Sequence, residues 1–312
     1  MALFEHLNRE RLKSPVTVLA YDNMISSAHG PELMRTFASI QFSQHDVVQP
    51  ITIGQPVDYV FHAAGIASPV WYRTHPLQTL DVATDGTRNM LELARTKKAA
   101  LLYFSSSEIY GDPDPRHVPT SENYFGNVSC RGPRACYDEG KRVGETLSDI
   151  YHDHHGVHTV AVRPFNVYGP GLRERDYRVL PNFASRIKAG LPLLVYGSGR
   201  QTRTFCYVAD AIVGFMLAAI RGVSGEAYNI GNPNPEISME ELAKRLQAVA
   251  GAGVQYRIAD YPDGYPSNEP QRRCPDIRKA QLQLGFEPKV SLEEGLRRFL
   301  SWTDRTYSGS PG

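Results

Sequence analysis

Ala100-Leu101-Leu102-Tyr103-Phe104-Ser105-Ser106-Ser107-Glu108-Ile109-Tyr110-Gly111 passes directly from apolar and aromatic residues into a polar cluster. A short apolar run ended by polar and turn-forming residues reads as a strand covered on both faces of a parallel sheet. Polar side chains that follow such a strand stand at its carboxyl end, where open α/β sheets bind ligands. Three further runs have the same character, at 16–21 (Val-Thr-Val-Leu-Ala-Tyr), 57–62 (Val-Asp-Tyr-Val-Phe-His) and 159–162 (Thr-Val-Ala-Val). Between them the apolar spacing is helical: at 80–96, with Val82, Met90, Leu91, Leu93 and Ala94 turned inward, and again at 141–152. Strands alternating with helices predict right-handed crossovers, and hence an α/β fold with a doubly wound parallel sheet.

The second half reads differently. Gly169-Pro170-Gly171, Gly197-Ser198-Gly199 and Gly231-Asn232-Pro233 punctuate it, and amphipathic helices are expected at 240–250 and 292–302. Two units follow: residues 1–165 built on the sheet, and 166–312 mainly a smaller α/β lobe. Hydrophobic residues at 41% exclude disorder and allow a sizeable core. Lys+Arg (34) and Asp+Glu (33) nearly cancel, so neither nucleic acid nor a membrane surface is expected as a partner. The apolar run at 211–220 is too short to cross a bilayer, and residues 1–14 have no apolar core of a signal peptide. Cys130, Cys136, Cys206 and Cys274 share no C-x-x-C spacing, which argues for reduced thiols in a cytoplasmic setting rather than disulfides or a metal site.

The chemistry is concentrated in two places. Tyr137 and Lys141, four apart in Tyr137-Asp138-Glu139-Gly140-Lys141, share one helical face. An ammonium beside a phenol favours phenolate, so Lys141 is expected to lower the pKa of Tyr137 and make it a base for an alcohol proton. Ser106 could hydrogen-bond the same substrate oxygen. A lone Tyr-x-x-x-Lys is weak, but it gains weight from the Ser-Ser-Ser-Glu strand end about 30 residues earlier.

Ser106-Ser107-Glu108-Ile109-Tyr110-Gly111-Asp112, the Tyr-x-x-x-Lys pair and Arg163-Pro164-Phe165-Asn166-Val167-Tyr168-Gly169-Pro170 together resemble the extended short-chain dehydrogenases/reductases, the NAD-dependent epimerase/dehydratase family acting on nucleotide sugars. Within it the resemblance is strongest to UDP-glucuronate decarboxylases (UDP-xylose synthases). It rests there on Gly132-Pro133-Arg134-Ala135-Cys136-Tyr137-Asp138-Glu139-Gly140-Lys141-Arg142, Gln201-Thr202-Arg203-Thr204-Phe205-Cys206-Tyr207-Val208, Arg273-Cys274-Pro275-Asp276-Ile277 and His45-Asp46-Val47-Val48-Gln49-Pro50. The likeness runs from the first strand to Pro288.

The resemblance implies a Rossmann-like domain that uses NAD to oxidise the sugar C4 hydroxyl, with Tyr137 as base, Lys141 as its partner and Ser106 as the accompanying hydroxyl. A carboxylate on C5 is then β to a ketone and can leave as carbon dioxide. The resulting enolate is protonated and the hydride returned. Ser107, Glu108 and Arg273 match positions used around that step; a guanidinium suits it, being permanently charged and bidentate toward carboxylate. Asp22 and Asn23 follow the first strand, where an acid accepts from the adenosine ribose and favours NAD over NADP. Asp46 and Val47 match adenine contacts, while Ala63, Ala64 and Ser105 match close approach to the cofactor. Asn166, Val179, Tyr196, Arg203 and Arg273 match contacts to the UDP-sugar substrate. A homodimer through the 80–96 and 137–152 helices is also implied. The alternatives kept open are a UDP- or dTDP-hexose 4-epimerase or 4,6-dehydratase, and a non-catalytic nucleotide-sugar-binding protein.

One family feature has no counterpart: no glycine precedes Gly30, so the Gly-rich turn that cradles a pyrophosphate is missing, and Met1–Leu7 already reads as a helix. The expectation is an amino-terminally shortened form of a working enzyme, in preference to a variant that has lost cofactor binding. The chain as given should then bind NAD poorly, and restoring about 15 residues with the turn should rescue binding and stability. His152, His154, His155 and His158 straddle a helix end and are read as C-terminal capping residues, not metal ligands.

Overall fold

The structure is a computed structural model in which residues 16–26, 40–176, 178–251, 253–261 and 270–311 are described. The helix expected at Met1–Leu7 lies outside them.

Strand β4 (Ala100–Phe104) sits inside a parallel sheet of order β10-β5-β4-β3, made with β3 (Tyr59–His62), β5 (Thr159–Pro164) and β10 (Glu226–Ile230). Its side chains alternate between two cores. Leu101 and Tyr103 join Met90, Leu91, Leu93 and Ala94 on one face, and Leu102 joins Val160, Val162, Tyr228 and Phe286 on the other. Covering both faces is what an unbroken apolar strand requires. A second parallel pair, β1 (Val18–Asp22) and β2 (Ile40–Gln44), is matched Val18 to Ile40 and Asp22 to Gln44. Among the described residues, β1 pairs with β2 alone and β3 with β4 alone, and a cavity of roughly 1770 Å³ lies between them.

The helix expected at 80–96 is interrupted. Helices α1 (Pro69–Thr74) and α2 (Pro76–Asp81) each begin on a proline, a residue pre-shaped for the first turn, and a π-helical turn at Val82–Gly86 then leads into α3 (Thr87–Lys97). Gly86 ends that widened turn against Val47: an added Cβ would stand 3.0 Å from Val47 Cγ2. The apolar periodicity carries across because the inward face is preserved, while the π turn itself leaves no mark in it. Helix α4 (Ala135–His155) holds Tyr137 and Lys141 and stops at Gly156, left-handed at φ +65°. Three of the histidines lie in its last turn, and His152 Nδ1 sits 2.9 Å from Ser224 Oγ.

Beyond residue 165, α5 (Val179–Lys188), the parallel pair β7 (Leu193–Tyr196) and β12 (Tyr256–Ala259), α7 (Met239–Ala250) and α9 (Leu292–Thr306) enclose Phe183, Leu193, Leu242, Leu246, Leu296 and Phe299. Ser238 and Ser291 cap α7 and α9, each accepting from the backbone N–H of a glutamate three residues on, as Ser-x-x-Glu predicts. Strands β8 (Thr202–Arg203), β11 (Ile237–Ser238) and β13 (Arg272–Arg273) form a small sheet, and β6 (Val167–Tyr168) pairs with β9 (Cys206–Tyr207). Helix α6 (Val208–Arg221) and β10 return from this half to cover and extend the large sheet, and α8 (Arg278–Leu284) packs on them. The two halves are thus interleaved beyond residue 165. No helix among the described residues is long and apolar enough to cross a membrane.

Candidate active site

Where β4 ends, the chain folds into a 3₁₀ turn at Ser107–Tyr110. Ser106 caps it, its Oγ accepting from the Glu108 N–H at 3.2 Å, which turns the Glu108 carboxylate toward α4. Ser105 and Ser107 are buried, and Ser105 Oγ has no partner among the described residues. The lysine of α4 reaches back: Lys141 Nζ donates to the Phe104 carbonyl at 2.6 Å, tying the helix to the strand end. Its Nζ lies 5.8 Å from the centroid of the Tyr137 ring and 5.4 Å from that of Tyr103.

The expectation that Lys141 lowers the Tyr137 pKa needs correcting. Burial pushes the phenol up, to about 12. A hydrogen bond with Ser106 and the positive charge of Arg178 oppose that rise, and the charges of Glu108 and Asp138 add to it. The amine is itself pushed down by burial, to about 8, and spends a hydrogen bond on the Phe104 carbonyl.

One turn away, Glu108 is gripped from two sides. Arg273 Nη1 and Nη2 donate to its two oxygens at 2.7 Å each, and Arg134 Nη2 bonds Oε2. Burial alone would raise the Glu108 carboxyl, but the attraction of Arg273 and Arg134 outweighs it and holds the group well below the usual carboxylate range. Asp138, 8% exposed, pairs with Arg134 Nε at 3.6 Å and leaves Oδ1 without a partner. Burial first, then the neighbouring Glu108 charge, raises its carboxyl to about 7. Tyr72, 2% exposed, stacks on Tyr137 with centroids 5.4 Å apart and planes 16° from parallel.

Arg134, Asp138 and Tyr72 were not picked out from the sequence. A signal existed for two of them: Arg134 and Asp138 bracket Tyr137 at i and i+4, on the face that meets Glu108. Tyr72, 65 positions before Tyr137, left none.

The residues matched to the cofactor gather elsewhere in the cleft. Asp22, Asn23, Asp46, Val47, Ala63 and Ala64 line the large cavity between β1 and β3. Asp22 Oδ1 accepts from Met24 N at 2.6 Å, and Asn23 Nδ2 donates to Asp46 Oδ2 at 3.0 Å. Ala64 and Gly65 also border a small recess shared with Tyr137 and Lys141. Of the residues matched to the substrate, Arg203 stands opposite Arg273 in the β8–β13 register. Asn166, left-handed at φ +42°, donates through Nδ2 to the Thr204 carbonyl at 2.9 Å. Val179 opens α5 and packs on the lobe core, and Tyr196 stacks on Tyr261 at 6.0 Å.

Residues 3–231 match the NAD dependent epimerase/dehydratase family. The chain belongs to that family. It is 44% identical over 264 residues to UDP-glucuronic acid decarboxylase 1 of Xenopus tropicalis, a match covering 85% of this chain and 60% of that protein. UDP-glucuronic acid decarboxylase 5 of Arabidopsis thaliana is 43% identical over 254 residues, covering 81% of this chain and 71% of that one. The chain thus spans well under the full length of these relatives. Among solved structures, a variant of UDP-glucuronic acid 4-epimerase from Bacillus cereus, in complex with a fluorinated UDP-glucuronic acid analogue and NAD, aligns over 97% of this chain and 96% of its own with a TM-score of 0.81 at 25% identity.

A dinucleotide fits the residues present at both of its nucleoside ends. Asp22 closes β1 with a carboxylate suited to ribose hydroxyls, and the cavity beside it is roomy. At the far end a Cβ added to Gly65 would stand 3.3 Å from Lys141 Nζ, so the missing side chain leaves the amine clear.

Proposed function

We propose that the chain is an NAD-dependent sugar-nucleotide enzyme that decarboxylates UDP-glucuronic acid. One observation carries the reading: the charge balance around Glu108. Two guanidiniums, of Arg134 and Arg273, face one firmly ionised carboxylate, and the second acid, Asp138, is pushed toward its neutral form. With Asp138 only partly ionised near neutral pH, the two guanidiniums are not fully neutralised, and Arg273 Nε is a buried donor with no partner among the described residues. Unspent positive charge with an unspent donor fits one further carboxylate, the group a glucuronic acid brings and a hexose lacks.

NAD, when bound, supplies hydride exchange at the sugar C4. Tyr137 would take the C4 hydroxyl proton as the phenolate, so its own proton must first leave against the burial that raises it, with Ser106 on the same oxygen. Arg273, with Arg134 behind it, holds the C5 carboxylate. As the carbon–carbon bond breaks, its electron pair flows toward the C4 oxygen, where the Ser106 and Tyr137 hydroxyls stabilise the developing enolate. Glu108 fixes both guanidiniums and is placed beside C5. Asn166, Arg203, Val179 and Tyr196 are assigned to the nucleotide, and Asp22, Asn23, Asp46 and Val47 to the adenosine side of the cofactor.

A 4-epimerase acting on the same acid is the second reading, favoured by the TM-score of 0.81 to an enzyme named for that reaction. Incubation with UDP-glucuronic acid and NAD, followed by proton NMR, separates them. A UDP-pentose with release of carbon dioxide supports decarboxylation; a C4-inverted uronic acid without release overturns it. We also propose a cytoplasmic homodimer through α3 and α4, supported by four free thiols and by Val143 and Ile150, 39% and 42% exposed on α4. Sedimentation at micromolar concentration tests the dimer.

A further inference from the structure

Between β6 and α5, residues 169–176 have no regular structure. This stretch nonetheless carries two arginines, Arg173 and Arg175, and the first reaches α1. Arg173 places its guanidinium carbon 5.6 Å over the ring of Trp71, the residue before Tyr72, and feels the charge of Asp22. Arg178, at the start of α5, is instead held locally, its Nε and Nη2 donating to Asp176 Oδ2 at 2.8 and 2.5 Å. A solvated loop of this length would not keep such an arrangement without an anchor.

The anchor is at the other end of the chain. Glu174, in the middle of the loop, accepts from the backbone N–H groups of Ser308, Gly309 and Ser310 at 2.8, 2.6 and 2.8 Å, and from Ser308 Oγ at 2.9 Å. Ser185 Oγ of α5 adds a bond at 3.0 Å. Two residues before Glu174, the Leu172 carbonyl accepts from Tyr307 Oη at 2.8 Å, and Tyr307 is itself buried against Phe299 and Trp302 of α9. Three successive peptide N–H groups on one carboxylate make an anion nest. The burial that would raise this carboxyl is more than offset by those donors, which hold it down near 2.

We propose that residues 307–310 form a strap, with Glu174 as the positioning residue that takes its grip, and that the strap holds Arg173 toward the cleft to set the affinity for the anionic sugar nucleotide, not the rate of its chemistry. The choice of ligand rests on the function proposed above; the strap does not.

Three variants test it: Glu174→Ala, Glu174→Gln, and a chain ending after Tyr307. KM and kcat for UDP-glucuronic acid, UDP binding by calorimetry, and the rate of trypsin cleavage after Arg173 and Arg175 are measured on each. Glu174→Ala and the shortened chain are expected to raise KM and weaken UDP binding by about tenfold, with kcat within about twofold. Both should speed cleavage. Combining the two should add little, because they disable one device. Glu174→Gln, which retains one oxygen for the Gly309 and Ser310 N–H groups, should recover part of the loss. Unchanged KM, UDP affinity and cleavage in Glu174→Ala, or a fall in kcat at constant KM, overturns the proposal. If the wild type does not turn over UDP-glucuronic acid, the functional reading fails alone. The calorimetry and cleavage then decide the strap, faster cleavage with weaker UDP binding supporting it and no change in either refuting it.

Discussion

The two ends of the cleft are held by opposite means. At the Tyr137 end, position is fixed by side chains: Glu108 is clamped by two guanidiniums, Lys141 is tied to the Phe104 carbonyl, and Tyr72 backs the Tyr137 ring. At the Asp22 end, short polar side chains fold back on their own backbone in two turns, and the register of β1 on β2 does the rest. Buried charge pairs are rigid and costly to break, whereas a two-stranded edge has little core of its own. The first end is built for chemistry, where small displacements matter, and the second for holding an extended ligand along a surface.

The comparison is broken most severely by removing the phenol. Tyr137→Phe is expected to lower kcat on UDP-glucuronic acid by about a thousandfold, while UDP affinity measured by calorimetry changes less than about twofold. Leu101→Ala attacks the sheet that presents the charged end. It deletes a side chain 1% exposed and is expected to cost about 3 kcal/mol in urea unfolding, against under about 1 kcal/mol for the same kind of truncation at half-buried Leu19 in β1.

The acid beside the clamp gives a smaller, pH-dependent effect. Its folded pKa lies near 7 against an ordinary 3.8, so the neutral form is favoured by folding. The stability this contributes is complete below the unfolded value and is lost as pH rises through about 7. Asp138→Asn should therefore melt close to the wild type at pH 4 and be more stable at pH 8 by on the order of 1 kcal/mol. Over the same interval ionisation of Asp138 cancels the spare positive charge, so wild-type KM for the uronic acid should climb above pH 7 and the Asn variant's should not. Smallest is the change expected at the backbone-held end: Asp22→Asn should weaken NAD binding about threefold and narrow its preference over NADP, without shifting KM for the sugar nucleotide.

What could be read from the residues alone follows the same division. The strand at 100–104, its polar end and the Tyr137–Lys141 face depend on spacing within one element, and spacing is visible in a sequence. Glu108 and Arg273 were each reached through family likeness, not periodicity, and their pairing across 165 positions is visible only in the structure. Tyr72 acts only once α4 and α1 are packed at a particular angle, which no local pattern encodes. The π turn at Val82–Gly86 escaped because it preserves the apolar face on both sides. The expected lowering of the Tyr137 pKa failed through burial: the amine is enclosed at 8% exposure and bonded to the backbone, so desolvation governs both it and the phenol.

The central claim is that the clamp around Glu108 keeps positive charge unspent for a substrate carboxylate. Calorimetry with UDP-glucuronic acid and UDP-glucose on the wild type and on Arg273→Gln tests it most directly. The account predicts that the wild type binds the acid at least about tenfold more tightly than the neutral sugar, and that the variant binds the two alike. Equal affinities in the wild type, or a preference that survives in Arg273→Gln, would contradict it.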